Sequence, residues 1–343
     1  MALKLRALVT AEVIREELEK KFSDRVEFVY DGYILERETM PTDVLAKRIA
    51  GFDILISEYE TVSREVFEAA DRLKFVICCR GGVKTVIDLE AAKAKGVMVC
   101  NNAGRNAAAV GDMAMALSLD LTRNITLTNG LIHSGVLSKN ATRKPDGYAD
   151  TVWGLGKDSP IMIYRGRSVC HMTLGIVGLG AAGKALAHHA AEFGMKIIAS
   201  SLPKDFADCD FPVESVTFDE LLRRADVVSV HCPLLPETRD MFDAKAFAAM
   251  KPDAYFVNTS RGGMVVEEDL VATLKAGRLA GAALDVTRQE PIPADSPLIG
   301  CPRLILTPHL SGSADDVQVC GTEMTSASLE AYLGGREPPH RVA

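Results

Sequence analysis

The chain is 343 residues long, 48% apolar and 25% charged, with a formal net charge of -7 at pH 7. At roughly 100–200 residues per domain, that length suits two or three domains, each able to bury a core. Acids and bases are spread along the whole chain, so no nucleic-acid partner is expected, because phosphate binding needs a concentrated basic face.

Residues 1–10 carry Lys4 and Arg6 and are too short and too charged for a secretory apolar segment. No apolar stretch of membrane length follows, so no membrane partner and a cytoplasmic location are expected. The cysteines Cys78, Cys79, Cys100, Cys170, Cys209, Cys232, Cys301 and Cys320 form no C-x-x-C pair. Most sit in apolar runs such as Phe75-Val76-Ile77-Cys78, so buried thiols in a reducing compartment are expected, with no metal site and no disulfide framework.

In chain order, residues 4–9 and 26–30 read as strands around a helical periodicity at 11–22. Short apolar strands at 54–56, 75–78 and 97–99 alternate with helices at 63–70 and 88–95. That alternation implies a small parallel α/β unit over about the first hundred residues. Residues 107–123 form a long amphipathic helix with Asn106 as its candidate N-cap. From Ile125 to about Arg167 the pattern fails. Asn140, Pro145, Asp146, Gly147, Gly154, Gly156 and Pro160 punctuate that stretch, and it holds the sole tryptophan, Trp153. An irregular arm is expected there, of a kind that pairs subunits. A second alternation starts at Met172, with strands at 173–177, 196–199, 227–230, 255–257, 282–284 and 304–306. Six such strands with helices between them make a doubly wound nucleotide-binding sheet. A last helix is expected over 314–333.

The sharpest local signal is Gly178-Leu179-Gly180-Ala181-Ala182-Gly183, directly after the strand at 173–177 and opening a helix over 184–193. Gly178 permits the tight turn, Gly180 lets the backbone approach a pyrophosphate, and Gly183 lets helix and strand pack closely. The pyrophosphate then meets the positive, unpaired end of the helix. An acid for the adenosine ribose is expected at the end of the second strand. The stretch Lys196-Ile197-Ile198-Ala199-Ser200-Ser201-Leu202-Pro203-Lys204 contains none. Ser200 and Ser201 as hydroxyl donors and Lys204 as a cation fit a 2′-phosphate, so NADP is expected to be favoured over NAD. His231, Cys232 and Pro233, together with Thr238, are placed along the cofactor groove.

Three polar segments interrupt the ends of later strands, where ligands bind in such sheets. They are Asn258-Thr259-Ser260-Arg261-Gly262-Gly263, Asp285-Val286-Thr287-Arg288-Gln289-Glu290-Pro291 and Leu306-Thr307-Pro308-His309. With the glycine loop, they make the chain resemble the D-isomer-specific 2-hydroxyacid dehydrogenase family, from the first strand to the last helix and most densely over 173–312. The resemblance implies that Arg261 holds the substrate carboxylate and polarises its carbonyl. It implies that His309 is the acid/base and that Glu290 is its partner. Asp285 would hydrogen-bond the nicotinamide carboxamide, with Thr259 in the same cofactor site, and the backbone of Arg80-Gly81-Gly82 would receive the substrate carboxylate. These residue types suit reduction of a 2-oxo acid, which needs a proton donor for the alkoxide, a cation for the carboxylate and a held hydride donor. A carboxylate beside a histidine favours the imidazolium, and an arginine fork matches a carboxylate. The remaining histidines, His133, His171, His188, His189 and His340, lack such company and read as structural.

The family fold implied is a doubly wound Rossmann cofactor domain, 106–308, inserted in a smaller flavodoxin-like α/β substrate domain, 1–105 plus 309–343. The reaction is expected in a cleft that closes to exclude water, in a homodimer formed through the cofactor domain. The alternative is a cofactor-sensing, corepressor-like binding protein of the same fold. A formate-dehydrogenase-like enzyme is disfavoured, because that relative carries glutamine where Glu290 stands. One departure is clear. Where the family commonly reads G-V-G-x-D-N-I-D, this chain reads Gly82-Val83-Lys84-Thr85-Val86-Ile87-Asp88, with Thr85-Val86 in place of the Asp-Asn pair. The change bears on which small 2-oxo or 2-hydroxy acid binds, not on the reaction.

Overall fold

The computed structural model describes residues 4–137 and 159–343. The middle of the expected arm, 138–158, with Asn140, Pro145, Asp146, Gly147, Trp153, Gly154 and Gly156, lies outside the described residues. The chain forms two compact units, Met1–Asn106 with Ser313–Ala343, and Ala107–Gly312.

The first unit runs β1 (Leu5–Val9), α1 (Arg15–Phe22), β2 (Val26–Tyr30), α2 (Tyr33–Glu36), α3 (Thr42–Arg48), β3 (Ile54–Ser57), α4 (Arg64–Ala69), β4 (Phe75–Cys78), α5 (Leu89–Ala94) and β5 (Met98–Asn101). Its strands are all parallel in the order β2-β1-β3-β4-β5, the flavodoxin-like arrangement. Side chains alternate across a strand, and both faces are buried here, which is why these strands read as unbroken apolar runs. Ala7, Val9, Ile54, Ile56, Phe75 and Ile77 pack with Leu18 and Phe22 of α1 on one face. Leu8, Leu55 and Val76 pack with Leu45, Val66 and Phe67 of α3 and α4 on the other. Asp88 caps α5 by accepting the Ala91 N–H at 2.9 Å.

The second unit runs α6 (Ala107–Arg123), α7 (Ile125–His133), α8 (Pro160–Ile163), β6 (Thr173–Val177), α9 (Ala181–Glu192), β7 (Lys196–Ser200), β8 (Glu214–Ser215), α10 (Phe218–Arg224), β9 (Val227–Val230), α11 (Ala244–Ala249), β10 (Tyr255–Asn258), α12 (Glu267–Lys275), β11 (Gly281–Leu284) and β12 (Leu304–Leu306). The sheet order is β12-β11-β10-β9-β6-β7-β8, again parallel. Read from its β8 edge this is the doubly wound order, whose direction reverses between β6 and β9. Leu221, Phe247 and Leu270 of α10, α11 and α12 cover one face. Met115, Leu117 and Leu121 of α6 and Leu186 and Ala190 of α9 cover the other. The last helix, α13 (Asp315–Leu333), belongs to the first unit. Thr322 Oγ1 accepts from the Ile14 N–H, and Asn102 donates to the Gly321 carbonyl and to Thr325.

Three expectations are corrected. A seventh strand, β8, pairs with β7 at the edge of the second sheet. The expected arm opens with a helix, α7, and ends beyond a second short one, α8. The units divide at Gly312 and not before His309, so the histidine travels with the second unit; its turn is held by Asp285, described below. No described helix is long and apolar enough to cross a membrane, and among the described residues no group of three metal-ligating side chains occurs. All eight cysteines are free; Cys78, Cys79, Cys100 and Cys301 are buried and Cys170 is exposed. Burial pushes the thiols of Cys78 and Cys79 up to about 11 and about 12, so both stay protonated.

Candidate active site

The glycine loop leaves β6 at the point where the strand order reverses and becomes the N-terminus of α9. Gly178 has φ +94, and a Cβ there would lie 2.6 Å from the Cys232 backbone N. A Cβ on Gly183 would lie 2.3 Å from the Gly178 carbonyl oxygen. Both positions therefore require glycine. A Cβ on Gly180 would meet nothing within 4 Å, so the open side of the loop faces free space at the helix end. The N–H groups of Ala181 and Ala182 find no acceptor among the described residues. Leu179 is fully buried, and its N–H donates to Ser201 Oγ at 2.9 Å. An open, donor-rich helix end suits a pyrophosphate.

The groove continues at the ends of β9 and β10. His231 Nε2 shares a hydrogen bond of 2.8 Å with Ser229 Oγ, while His231 Nδ1 and Thr259 Oγ1 are buried with no partner. Desolvation holds His231 down to about 4, so the ring is neutral at working pH. Two unpartnered buried atoms at the ends of neighbouring strands β9 and β10 are what a bound dinucleotide would satisfy. Cys232 closes behind Gly178, and burial pushes its thiol up to about 11. Thr238 has its hydroxyl engaged. Its hydroxyl donates to the Pro233 carbonyl at 2.7 Å and accepts from the Leu235 N–H at 2.8 Å, so it fastens the turn after Pro233 instead of presenting a free donor.

At the second-strand end, Ser200 accepts the Gly178 N–H on its carbonyl, and Lys204 is exposed. The Ser201 hydroxyl is engaged as well: its proton goes to Asp205 Oδ2. Asp205 is a neighbour of this position that the sequence did not single out. It sits in a 3-10 turn, Pro203–Phe206, that folds its carboxylate back over Ser201, where the Leu202 N–H also donates to it at 3.2 Å. Proline at the start of a turn followed by aspartate two positions on is the signal that could have found it.

The three polar segments leave β10, β11 and β12, which are neighbours in the sheet. Asn258 holds the first: its carboxamide donates to the Arg261 carbonyl and accepts the Ser260 N–H, both at 3.0 Å. Arg261 is exposed and makes no ion pair among the described residues; it donates only to the Ser260 carbonyl. A Cβ on Gly262 would lie 2.0 Å from the Thr287 backbone, so the first two segments touch there and only glycine fits. Glu290 Oε1 accepts the Thr287 N–H at 3.2 Å, and its Oε2 lies 2.7 Å from His309 Nδ1. Side-chain exposures of 45% for His309 and 39% for Glu290 leave the pair open to a small substrate.

Asp285 does not have a free carboxylate. Oδ1 accepts from the Thr307 hydroxyl at 2.6 Å and the Leu310 N–H at 2.9 Å; Oδ2 accepts from the Ser311 N–H at 2.8 Å and the Ser311 hydroxyl. Its backbone carbonyl takes the His309 N–H at 2.7 Å. Its side chain therefore shapes the 307–311 turn, in addition to the nicotinamide contact that the sequence implies. Within this turn His309 has φ +57, a left-handed backbone uncommon for histidine.

In the first unit, Arg80, Gly81 and Gly82 follow β4. The N–H groups of Gly81 and Gly82 find no acceptor among the described residues, while Asn101 pins the Gly81 carbonyl at 2.9 Å. The Arg80 guanidinium lies 5.3 Å from the Tyr59 ring centroid. Glu58, fully buried at the end of β3, pairs with Arg105, a second pairing the sequence reading missed. The unusual Thr85-Val86 pair is structural: Thr85 donates to the Gly82 carbonyl at 2.7 Å, and Val86 joins the core.

The chemistry open to such an arrangement is hydride exchange with a nicotinamide while an imidazole carries the proton, which places the chain among the nicotinamide-dependent oxidoreductases. Residues 115–311 match the family model described as D-isomer specific 2-hydroxyacid dehydrogenase, NAD binding domain. The chain is 34% identical to a hydroxypyruvate reductase of Blautia hydrogenotrophica over 304 residues, 88% of this chain and 89% of that one. It is 32% identical to a glyoxylate reductase of Korarchaeum cryptofilum over 343 residues, 99% and 96% of the two chains. Among solved structures, the TT0316 protein from Thermus thermophilus matches with a TM-score of 0.78 at 31% identity, covering 99% of this chain and 100% of that one. Rhodotorula graminis D-mandelate dehydrogenase matches with a TM-score of 0.79 at 25% identity, covering 99% and 98%. The chain belongs to the D-isomer specific 2-hydroxyacid dehydrogenase family and is an enzyme of that class. The corepressor-like alternative is not favoured.

Proposed function

We propose that this chain reduces a small 2-oxo acid to the D-2-hydroxy acid, with glyoxylate and hydroxypyruvate, the compounds that name its relatives, as first candidates. The observation that carries the reading is the 2.7 Å contact between His309 Nδ1 and Glu290, set among three segments at adjoining strand ends. A bound reduced nicotinamide supplies the hydride, and its dinucleotide is held by Gly178 to Gly183, with Thr259 and His231 beside it. With Nδ1 turned to Glu290, His309 Nε2 is the atom that gives its proton to the substrate oxygen. Arg261, free of other carboxylates, binds the substrate carboxylate and faces the developing alkoxide. In the first unit the Arg80-Gly81-Gly82 loop, whose Gly81 and Gly82 N–H groups have no acceptor among the described residues, is the candidate substrate-binding loop. In this reading the first unit is the substrate domain and the second the cofactor domain. The adenosine end, residues 201–205, decides between NADH and NADPH.

The reading extends to a cytoplasmic homodimer formed through the second unit. Ile125, Leu127, Ile132 and Val136 on and after α7, and Ile161, Met162 and Ile163 on α8, are all exposed, an apolar surface suited to burial against a second copy. The direct test of the activity is a panel of 2-oxo acids incubated with NADH and with NADPH. Loss of reduced-nicotinamide absorbance with at least one acid is expected, at roughly 1–10³ turnovers per second. A chain that binds the cofactor yet oxidises it with none of them does not have this function.

A second expected result concerns Glu290. In Glu290→Gln a neutral amide replaces the carboxylate beside the ring and no longer favours imidazolium. Reduction should then fall off at lower pH than in the unsubstituted chain, with kcat at neutral pH down by about tenfold or more. An unaltered pH–rate profile would remove Glu290 from the proton-transfer pair.

A further inference from the structure

We infer that Asp205, presented by Ser201, is the ribose-binding acid of this chain and makes it prefer NADH over NADPH. The inference rests on the cofactor assignment alone and not on the identity of the substrate. The second strand, β7, ends at Ser200 without a carboxylate, and by sequence spacing the site looks built for a 2′-phosphate. The geometry reverses that reading. Ser201 Oγ lies 2.9 Å from the Leu179 N, so position 201 sits against the glycine loop, where the adenosine ribose of a bound dinucleotide comes to rest. The single proton of that hydroxyl is given to Asp205 Oδ2. With its donor engaged and its oxygen accepting from Leu179, Ser201 has little left to offer a phosphate.

What stands there is a carboxylate one hydroxyl removed from the loop. Asp205 Oδ2 also accepts the Leu202 N–H at 3.2 Å, so the group is fixed from two sides of a short turn that opens with Pro203. Asp205 Oδ1 has no hydrogen-bond donor among the described residues and can accept from a ribose hydroxyl. The same oxygen repels the two negative charges of a 2′-phosphate. Lys204 is the one cation in the turn, but it is exposed and makes no ion pair among the described residues, whereas the carboxylate is held in place. Asp208 and Asp210 follow within the next five positions, so the local charge stays negative. The acid thus arrives from the turn after the strand and not from the strand end, which is why the strand-end reading found none.

The test is equilibrium binding of NADH and NADPH to the full chain, followed by nicotinamide fluorescence, for the unsubstituted protein, Asp205→Asn and Ser201→Ala. The unsubstituted chain should bind NADH about tenfold or more tighter than NADPH, the effect of one close like-charge contact. Asp205→Asn keeps the size and the turn bonds but removes the charge. It should narrow the ratio about tenfold, mainly by tightening NADPH. Ser201→Ala should narrow it partly, because the carboxylate stays in the turn but loses its tether. Equal binding or a preference for NADPH in the unsubstituted chain overturns the inference, and so does a ratio unmoved by Asp205→Asn. Because the readout is binding, an NADH preference that Asp205→Asn erases would stand even if no 2-oxo acid were reduced.

Discussion

Replacing His309 by alanine should lower kcat for 2-oxo-acid reduction by about 10²–10⁴-fold, the usual worth of a positioned acid/base. The imidazole is the titratable group that the 285–290 and 307–311 segments jointly hold, and its Nδ1 is occupied by Glu290. Removing it leaves the developing alkoxide to take its proton from water. Arg261 and the glycine loop keep their places, because His309 contributes no hydrogen bond to either of them. NADH affinity should therefore stay within about twofold, and the KM for the oxo acid should move much less than kcat. His309→Gln is the useful companion. Glutamine can retain a hydrogen bond to Glu290 but cannot donate a proton at neutral pH, so it should be nearly as slow as alanine. A His309→Ala enzyme with kcat near that of the unsubstituted chain would mean that the proton comes from elsewhere.

How much of this was legible in the sequence depends on how local the signal is. Strands buried on both faces announce themselves as apolar runs, so β4 and β9 could be placed from Phe75-Val76-Ile77-Cys78 and Val227-Val228-Ser229-Val230 alone. The two-residue β8 could not. Glu214 and Ser215 are exposed and polar, and the strand exists only because β7 offers a free edge while Arg224 and Lys196 hold Glu214. Likewise α7 buries none of its residues, so it has no inward-facing stripe to recognise. In the site, the glycine loop and the segments ending in Glu290 and His309 were readable because their spacing carries their chemistry. Asp205 and the Glu58–Arg105 pair were not, since each depends on where a turn or a distant strand end delivers a side chain. Asp285 shows the reverse limit: the residue was found, but its partners, 22 to 26 positions further on, give it structural work that the sequence did not announce.

That work leads to the second large expected effect. Asp285 is nearly solvent-free at 1% exposure, and its two oxygens accept four hydrogen bonds from Thr307, Leu310 and Ser311. Two of the donors are backbone N–H groups, Leu310 to Oδ1 and Ser311 to Oδ2. In Asp285→Asn one oxygen becomes an NH₂, and whichever way the amide turns, a donor meets a backbone N–H. A hydroxyl could rotate away; a backbone N–H cannot, and a buried donor left unpaired costs about 1–3 kcal/mol. The turn that relaxes is the one holding His309 at φ +57, so the strain at the histidine loses the bonds that maintain it. We expect kcat to fall by roughly 10²-fold, because a small displacement of a reacting group is enough for that. Two binding measurements separate this positioning role from direct contact with the cofactor. ADP-ribose lacks the nicotinamide, so a residue that only shapes the His309 turn should leave the affinities for NADH and ADP-ribose unchanged in Asp285→Asn while kcat drops. If the substitution instead weakens NADH selectively and spares ADP-ribose, Asp285 touches the nicotinamide carboxamide, and its four partners must release it when the cofactor binds.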